Sequence, residues 1–152
     1  LYDIYGESLR IAAPIFCDFG GRQNFEGPVS TVKVFEDNGL VRTALEKAGA
    51  GRVLVVDGGG SLRCALVGDV LGALGIRNDW RGIVVYGCIR DATPLRQMPI
   101  GLKALATNPR KSNKNGGGDV DVPVQFADIQ IKPGDYLYAD RDGIVVADRE
   151  LT

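Results

Sequence analysis

The chain has 152 residues, 45% of them hydrophobic and 24% charged, which predicts one compact domain over residues 1–152 with a buried core. Its 18 basic and 19 acidic side chains leave a formal net charge of −1, which argues against a broad nucleic-acid-binding surface. The chain contains no histidine. Histidine-based catalytic triads, histidine-ligated zinc and two-histidine iron sites are therefore excluded, and any bound metal has to be a hard, oxygen-ligated cation.

The three cysteines, Cys17, Cys64 and Cys88, show no metal-binding spacing. An odd number of cysteines without such spacing is typical of reduced, buried thiols in a cytoplasmic protein. No apolar run approaches the roughly 18 residues that a membrane-spanning helix needs. We therefore expect a soluble cytoplasmic protein with neither a membrane nor a nucleic acid as its direct partner.

The first half of the chain alternates strand and helix patterns. Residues 28–35 are rich in β-branched side chains and predict a strand. Asp37 and Asn38 can then cap an amphipathic helix that ends at Gly49. The apolar run 52–57 predicts a buried strand that leads into a glycine-rich turn.

The glycine-rich turn is Gly58–Ser61, and a helix is predicted after it, with its best-supported part from Gly68 to Leu74. The turn is similar to a phosphate-binding turn but lacks the lysine and the glycine spacing of the known motifs, which favours a close-packed strand-to-helix turn. The next buried strand is predicted over residues 82–86 and leads to the Arg90-Asp91 turn. Strand, turn, helix and strand in this order indicate an α/β fold.

The final third of the chain is predicted to be rich in β-structure. Residues 107–119 are polar, basic and typical of a flexible surface loop that serves as a lid or a contact arm. Turn residues then separate four short apolar runs, each of which predicts a strand. These runs are Val120–Val124, Ile129–Ile131, Tyr136–Tyr138 and Gly143–Val146.

Asp69 is followed, after 20 intervening residues, by Arg90 and Asp91, and all three lie in glycine-containing turns next to apolar segments. Such turns can converge on one pocket, and loops held by rigid elements are where catalytic groups concentrate. Magnesium keeps several waters and needs only one or two protein carboxylates, so Asp91 can be its single direct ligand. Arg90 can then stabilise an oxygen that becomes anionic, while Asp69 holds or deprotonates a metal-bound water.

Each of these residues also has a structural interpretation. Asp69 can be a plain helix N-cap, Asp91 can cap a short helix over residues 93–98, and Arg90 can form a structural salt bridge. As a set, however, they suit enolate chemistry on a 2-oxo acid, with its carboxylate held by the backbone N–H groups at the helix start. A Schiff-base aldolase using Lys33 is the rival mechanism, and the general acid and base stay unassigned.

Five segments of the chain together resemble the RraA-like family, which groups regulators of ribonuclease activity A with 4-hydroxy-4-methyl-2-oxoglutarate aldolases. The segments are Phe19–Arg22, Val34–Asn38, Val53–Ser61, Gly87–Asp91 and Tyr138–Asp140. The resemblance implies a compact swivelling β/β/α domain with a central β core flanked by helices. It also implies a homotrimer or a dimer of trimers with sites near the subunit interfaces.

The resemblance further implies a divalent-metal-dependent class II aldolase, a lyase. Such an enzyme cleaves 4-hydroxy-4-methyl-2-oxoglutarate, or its 4-carboxy relative, to pyruvate and decarboxylates oxaloacetate through the same pyruvate enolate. By similarity, Asp69 and Arg90 are catalytic, Arg90 also contacts substrate, and Asp91 holds the metal, with magnesium favoured over manganese. The substrate-binding turn falls on Gly68, Asp69, Val70 and Leu71.

Two other functions are compatible with the same resemblance. Family members known as ribonuclease regulators bind the endonuclease RNase E by protein-protein contact, and they look degenerate at the position of Arg90 and Asp91, whereas this chain keeps both residues. The lyase is therefore the favoured function. A regulator would need an exposed contact patch, for which Arg110, Lys111 and Lys114 are candidates. A trimer with only a structural role would bind no metal.

Overall fold

The computed structural model describes residues 1–152 and shows a mixed α/β fold, with one ten-stranded sheet, a separate two-stranded sheet and few helices. The predicted α/β domain with a central β core is thereby confirmed. The helices are α1 (Tyr2–Tyr5), α2 (Gly39–Glu46), α3 (Asp69–Arg77) and α4 (Ala92–Arg96). None of the four has the length and apolar character that crossing a membrane requires.

The twelve strands have two to nine residues, and most lie in the second half of the chain. They are β1 (Arg10–Ile11), β2 (Cys17–Asp18), β3 (Phe25–Lys33), β4 (Val53–Asp57), β5 (Ala65–Val67), β6 (Gly82–Ile89), β7 (Gly101–Thr107), β8 (Asp119–Val120), β9 (Val124–Phe126), β10 (Ile129–Ile131), β11 (Tyr136–Asp140) and β12 (Gly143–Ala147).

Parallel pairing at the centre of the large sheet determines where its chemistry can lie. The strand order is β1-β12-β11-β3-β4-β6-β7-β2, and β5 and β8 pair with β6 and β3 outside this path. Strands β3, β4, β6 and β7 run parallel to one another, and β5 runs parallel to β6. The carboxyl ends of these strands therefore meet at one edge, where α/β proteins commonly bind ligands.

The sheet is buried on both faces, which explains the continuous apolar runs in its central strands. In β4, Leu54 and Val56 belong to a core that also takes in side chains from α2, α3 and α4. Val53 and Val55 point to the opposite face and pack with β9, β10, β11 and β12. Alternate side chains of one strand thus supply two cores, as the period of two along a strand requires.

Several predicted boundaries were wrong. The first predicted strand begins at Phe25 instead of residue 28, and α2 ends at Glu46 instead of Gly49. The turn Gly58–Ser61 leads into β5, not into a helix. The apolar residues of β5 are fully buried beside β6, so tertiary pairing determined the conformation of a segment too short to be identified from its pattern.

Strand β7 was absent from the prediction because Lys103 interrupts its apolar pattern. The Lys103 ammonium is buried, lies 3.1 Å from an Asp18 carboxylate oxygen and donates a hydrogen bond to the Asp140 carbonyl at 2.7 Å. Conversely, the predicted strand over residues 120–124 is broken. Asp121 has a φ of 56°, outside the extended region, and Pro123 has no N–H group to donate.

Candidate functional site

The two segments that carry Asp69 and Arg90-Asp91 meet at the carboxyl ends of neighbouring strands. Val67, at the end of β5, is the register partner of Ile89, at the end of β6. The Arg90 backbone N–H continues this pairing by donating to the Val67 carbonyl at 2.9 Å. The structure therefore brings Asp69 next to Arg90 and Asp91, although 20 residues separate Asp69 from Arg90 in sequence.

The carboxylate of Asp91 points back toward the start of α3. Its Oδ2 accepts a hydrogen bond from the Asp69 backbone N–H at 3.0 Å. Asp91 is the N-cap residue of α4, as expected from position, but its side chain makes no capping hydrogen bond to α4 and binds the first N–H group of α3 instead. Its backbone is left-handed, with φ 61° and ψ 42°, a conformation that is uncommon outside glycine and that turns the side chain away from α4.

Gly68 leaves the space that the Asp91 carboxylate occupies. A Cβ atom on Gly68 would lie 2.6 Å from Asp91 Oδ2, although the extended backbone of Gly68 would accept any residue. Gly68 is also the N-cap residue of α3, so Asp69 is the first helical residue and the interpretation of Asp69 as a plain N-cap is wrong. The first hydrogen bond of α3 runs from Gly72 N–H to the Gly68 carbonyl, which leaves the preceding N–H groups without intrahelical acceptors.

The guanidinium of Arg90 is half-buried and forms no ion pair. Its one hydrogen bond within the chain is long, 3.4 Å from Nη1 to the Pro109 carbonyl. The interpretation of Arg90 as part of a structural salt bridge is therefore wrong. Most of its five donors remain available to an anionic oxygen in the adjoining cleft.

A cleft of about 600 Å³ opens beside these residues. Its lining includes Asp69, Arg90 and Asp91 and the predicted substrate-binding turn from Gly68 to Leu71. Within that turn, Val70 is exposed, whereas the Leu71 side chain is buried in the core. Four cationic and two acidic side chains line the cleft, so it favours an anionic ligand. These side chains are Arg42, Arg90, Lys111, Lys114, Asp69 and Asp91.

Most of the residues that line the cleft were not assigned to a site from the sequence. Helix α2 contributes Arg42 and Thr43, and the loop after β7 contributes Lys111, Ser112 and Lys114. The basic composition of this loop was visible in the sequence, but only the fold shows that two of its lysines face Asp69 and Asp91. Lys111 and Lys114 therefore line the cleft, so substituting them would not separate an enzyme from a regulator.

The loop is also anchored, in contrast to the flexible segment that we expected. Ala65 N–H donates to the Arg110 carbonyl at 2.8 Å, and Asn113 N–H donates to the Glu36 carbonyl at 2.9 Å. Asp37, just before α2, accepts hydrogen bonds from the backbone N–H groups of Asn115 and Gly116 at 2.8 and 3.1 Å. These contacts hold the loop against α2 and β5.

The donor set of the cleft fits a hard divalent cation. No three acidic or cysteine side chains form a metal-binding cluster anywhere in the chain, so the protein can offer only one or two carboxylates. Asp69 and Asp91 are those carboxylates, and neither is neutralised by an ion pair within the chain. This arrangement suits magnesium, which takes few protein ligands and keeps water in its remaining positions.

Other reactive groups lie outside the cleft. Burial raises the pKa of the Cys64 and Cys88 thiols, which fits the predicted structural role, whereas Cys17 is exposed and the prediction of burial was wrong for it. Lys33 is exposed and lines a different cleft, beside Asp57. A Schiff base at Lys33 would therefore form away from Arg90 and Asp91.

Comparison with known proteins identifies the family. The model of the RraA-like family, described as Aldolase/RraA, matches residues 3–146. The chain belongs to the RraA-like family. A relative from Alkalilimnicola ehrlichii, named "Putative 4-hydroxy-4-methyl-2-oxoglutarate aldolase", is 59% identical over 151 residues, which cover 99% of this chain and 94% of that protein.

Two solved structures are very similar to this RraA-like chain. The RNA-processing inhibitor RraA from Thermus thermophilis superposes with a TM-score of 0.96 at 48% identity, covering 99% of this chain and 92% of the other. A protein from Geobacillus kaustophilus, described as an S-adenosylmethionine:2-dimethylmenaquinone methyltransferase, gives a TM-score of 0.98 at 46% identity, covering 99% and 94%. These relatives therefore share one fold under three functional names.

The Asp37 carboxylate makes the stability of this RraA-like fold depend on pH. Burial alone would raise the pKa of Asp37, but the N–H groups of Gly39, Asn115 and Gly116 that donate to it outweigh burial and lower its pKa. A lowered pKa means that Asp37 contributes stability above its unfolded pKa of about 3.9, and that this contribution is lost as the pH falls through the folded value.

We therefore expect Asp37→Asn to lower the free energy of unfolding at pH 7 by about 1–3 kcal/mol, because a buried acceptor of several hydrogen bonds is lost. The difference from wild type should begin to shrink as the pH falls below the unfolded pKa of about 3.9, and should go on shrinking until the pH passes the lowered pKa of the folded carboxyl. Urea unfolding at several pH values measures both quantities. A difference that stays constant down to pH 2 would contradict this account.

Proposed function

We propose that the chain is a divalent-metal-dependent aldolase that cleaves 4-hydroxy-4-methyl-2-oxoglutarate, or a related 4-hydroxy-2-oxo acid, to pyruvate. The observation that carries the proposal is the convergence of Asp69, Arg90 and Asp91 on one cleft whose remaining charges are positive. The aldolase name of the 59% identical relative supports it independently.

Both ends of such a substrate find complementary groups in the cleft. The N–H groups of Val70 and Leu71, at the start of α3, can receive the carboxylate next to the 2-oxo group, because the helix terminus leaves them without intrahelical partners. Arg42, Lys111 and Lys114 lie along the same cleft and can receive the distal carboxylate. A dicarboxylate can thus pair with more of the cationic side chains of the cleft than a monocarboxylate can.

Asp91 would hold the cation, with Asp69 close enough to orient its water. When bound, magnesium, or manganese as the alternative, would act as a Lewis acid that polarises the 2-oxo group. The contact between Asp91 Oδ2 and the Asp69 N–H fixes the carboxylate in one orientation and leaves its other oxygen free for the cation. Such fixing of a ligand by its surroundings is typical of metal sites.

Cleavage breaks the bond between C3 and C4 of the substrate. The electron pair of this bond moves onto C3 and the 2-oxo oxygen, which gives the pyruvate enolate, and Arg90 stabilises the negative charge on that oxygen. The 4-hydroxyl group gives up its proton, directly or through a water, to Asp69, and its oxygen becomes the ketone of a second pyruvate. Protonation of the enolate at C3 completes the reaction.

The same enolate would form by loss of carbon dioxide from oxaloacetate. In that reaction the electron pair of the bond between C3 and the leaving carboxylate moves to the same position, so Arg90 has the same role. No proton has to be removed before the bond breaks. We therefore propose oxaloacetate decarboxylation as a secondary activity that depends on Arg90 and Asp91 but needs Asp69 less.

We expect Arg90→Lys to lower kcat for 4-hydroxy-4-methyl-2-oxoglutarate by about 100-fold or more, because an ammonium cannot reproduce the two-pronged contact of a guanidinium with the enolate oxygen. Asp91→Asn should abolish the metal-dependent rate. Arg77→Lys, at the exposed end of α3, is the matched control and should leave the rate unchanged. Pyruvate release, coupled to lactate dehydrogenase with magnesium or with chelator, measures each rate.

A wild-type rate no higher than that of magnesium alone would refute the aldolase on this substrate. A rate that survives chelation, or a normal rate in Asp91→Asn, would refute the metal site while leaving the cleft as a catalytic site. If Arg77→Lys lowers kcat as much as Arg90→Lys does, the loss of rate in Arg90→Lys does not come from a lost contact with the enolate oxygen.

A second candidate function is regulation of an RNA-processing ribonuclease such as RNase E, because a 48% identical structure is described as an RNA-processing inhibitor. Phe35 and Leu62 are 57% and 56% exposed, and Arg63 lies over the Phe35 ring at 5.6 Å. Leu62 is next to Arg63 in sequence, and none of the three residues lines the cleft, so their exposed side chains suit a protein partner.

If the chain is a regulator, the double substitution Phe35→Ser and Leu62→Ser should weaken inhibition of RNase E while sparing pyruvate release. Arg90→Lys should do the reverse. Inhibition of RNA cleavage by purified RNase E, measured with both variants, separates the two functions. No inhibition by the wild-type chain would remove the regulator from consideration.

A further inference from the structure

We propose that Asp37 is a positioning residue that holds Lys114 at the cleft and thereby determines the affinity for the distal carboxylate of the substrate. The inference deepens the proposed function and rests on it. It concerns a side chain that does not line the main cleft and that would act only through the loop it binds.

Asp37 joins the start of α2 to the loop that carries the two lysines. The residue is 7% exposed, and both of its carboxylate oxygens accept backbone hydrogen bonds. Oδ1 accepts from Gly39 at 2.9 Å and from Gly116 at 3.1 Å, while Oδ2 accepts from Asn115 at 2.8 Å. One side chain thus binds both the start of α2 and the loop after β7, which form two walls of the cleft.

The backbone around Lys114 is held on both sides. On one side, Asn113 N–H donates to the Glu36 carbonyl and Asn38 N–H donates to the Asn113 carbonyl, both at 2.9 Å. On the other side, Asn115 and Gly116 donate to Asp37, and the next backbone pairing is that of β8 with β3 at Asp119 and Val120. Without the carboxylate, the segment between Lys114 and Asp119 would lose these two hydrogen bonds to the body of the protein.

The loop after β7 packs directly against the start of α2, where Asp37 binds it. A Cβ atom on Gly39 would lie 2.7 Å from the backbone of Gly116, so the loop crosses the start of α2 at a distance that only glycine allows. Arg42 and Thr43, on the next turn of α2, face the loop across the cleft. A shift of the loop would therefore change the spacing between Arg42 and Lys114, which are the groups that would bind the distal carboxylate.

Only a carboxylate has two acceptor oxygens for the three backbone N–H groups that meet at this position. Asp37 pairs with no lysine or arginine, and its acceptors are used on three N–H groups instead. An asparagine has one acceptor oxygen, and its amide N–H₂ would face the Asn115 or Gly116 N–H group as a second donor. Asp37→Asn would therefore break the link to the loop with almost no change in volume.

The test compares a dicarboxylate with a monocarboxylate. 2-Oxoglutarate has the same 2-oxo acid end and a distal carboxylate but no 4-hydroxyl group, so it binds without being cleaved, whereas pyruvate lacks the distal carboxylate. Isothermal titration calorimetry with magnesium gives both affinities for the wild type, Asp37→Asn and Asp135→Asn. Asp135 is the control because it is also a buried carboxylate that accepts a backbone N–H, from Lys132, and lies outside the cleft, although it differs from Asp37 in pairing with Arg10 at 2.7 Å.

We expect Asp37→Asn to weaken 2-oxoglutarate binding by about tenfold or more, because contacts of charged groups with the distal carboxylate are lost, and to change pyruvate binding by less than about twofold. Asp135→Asn should change neither affinity, even though it also destabilises the fold. Restored 2-oxoglutarate binding in Asp37→Glu would support a role for the charge of the side chain.

Equal weakening of both ligands in Asp37→Asn, or equal effects of Asp37→Asn and Asp135→Asn, would overturn the inference and leave Asp37 as a structural residue. A wild type that binds 2-oxoglutarate no more tightly than pyruvate would overturn it as well. These outcomes are distinguishable from failure of the proposed function, because the calorimetric measurement needs no turnover and the aldolase assay needs no effect of Asp37.

Discussion

The contact between the Asp91 carboxylate and the backbone at Gly68 and Asp69 is the constraint on which the proposed site depends. It joins the ends of β5 and β6 through a side chain, where the strand pairing ends. Two unusual local features make it geometrically feasible. Asp91 adopts a left-handed backbone conformation, and Gly68 has no side chain at the position where Asp91 Oδ2 lies. Such a conformation is generally retained where the surrounding structure enforces it, often at functional sites.

Around this contact, charge determines what the cleft can accept. Two carboxylates lie at one end, beside the start of α3, and the cationic side chains of α2 and the loop after β7 lie along the walls. A cation at Asp91 would add further positive charge, so the site as a whole suits a ligand with two anionic groups. The fold alone would not support this conclusion, because the similar structures carry names as different as RNA-processing inhibitor and methyltransferase.

The sequence predicted the central part of this arrangement for a physical reason. Asp69, Arg90 and Asp91 were expected to converge because they lie in glycine-containing turns next to apolar segments, and the structure places them together at the ends of the parallel strands β5 and β6. Their structural alternatives were excluded only by side-chain orientation. A spacing cannot show that the Asp91 carboxylate turns toward α3 or that Arg90 forms no ion pair.

The features that the sequence did not reveal depend on long-range contacts. The loop after β7 reads as a flexible segment, yet Asp37 anchors it from about 80 residues away in sequence. Strand β7 was missed because Lys103 looks incompatible with a buried strand until Asp18 is placed beside it. Both cases involve a polar group whose partner is distant in the chain, and local periodicity contains no information about such partners.

The central claim is that Asp91 and Arg90, held by the contact at Gly68, stabilise a pyruvate enolate. The most direct measurement is the exchange of pyruvate methyl protons in D₂O with magnesium, followed by proton NMR for the wild type, Gly68→Ala and Gly117→Ala. Gly117 is the control because a Cβ atom there meets nothing within 4 Å. Our account predicts magnesium-dependent exchange that Gly68→Ala slows by about tenfold or more while Gly117→Ala retains the wild-type rate. Exchange no faster than with magnesium alone, or equal rates in both variants, would contradict it.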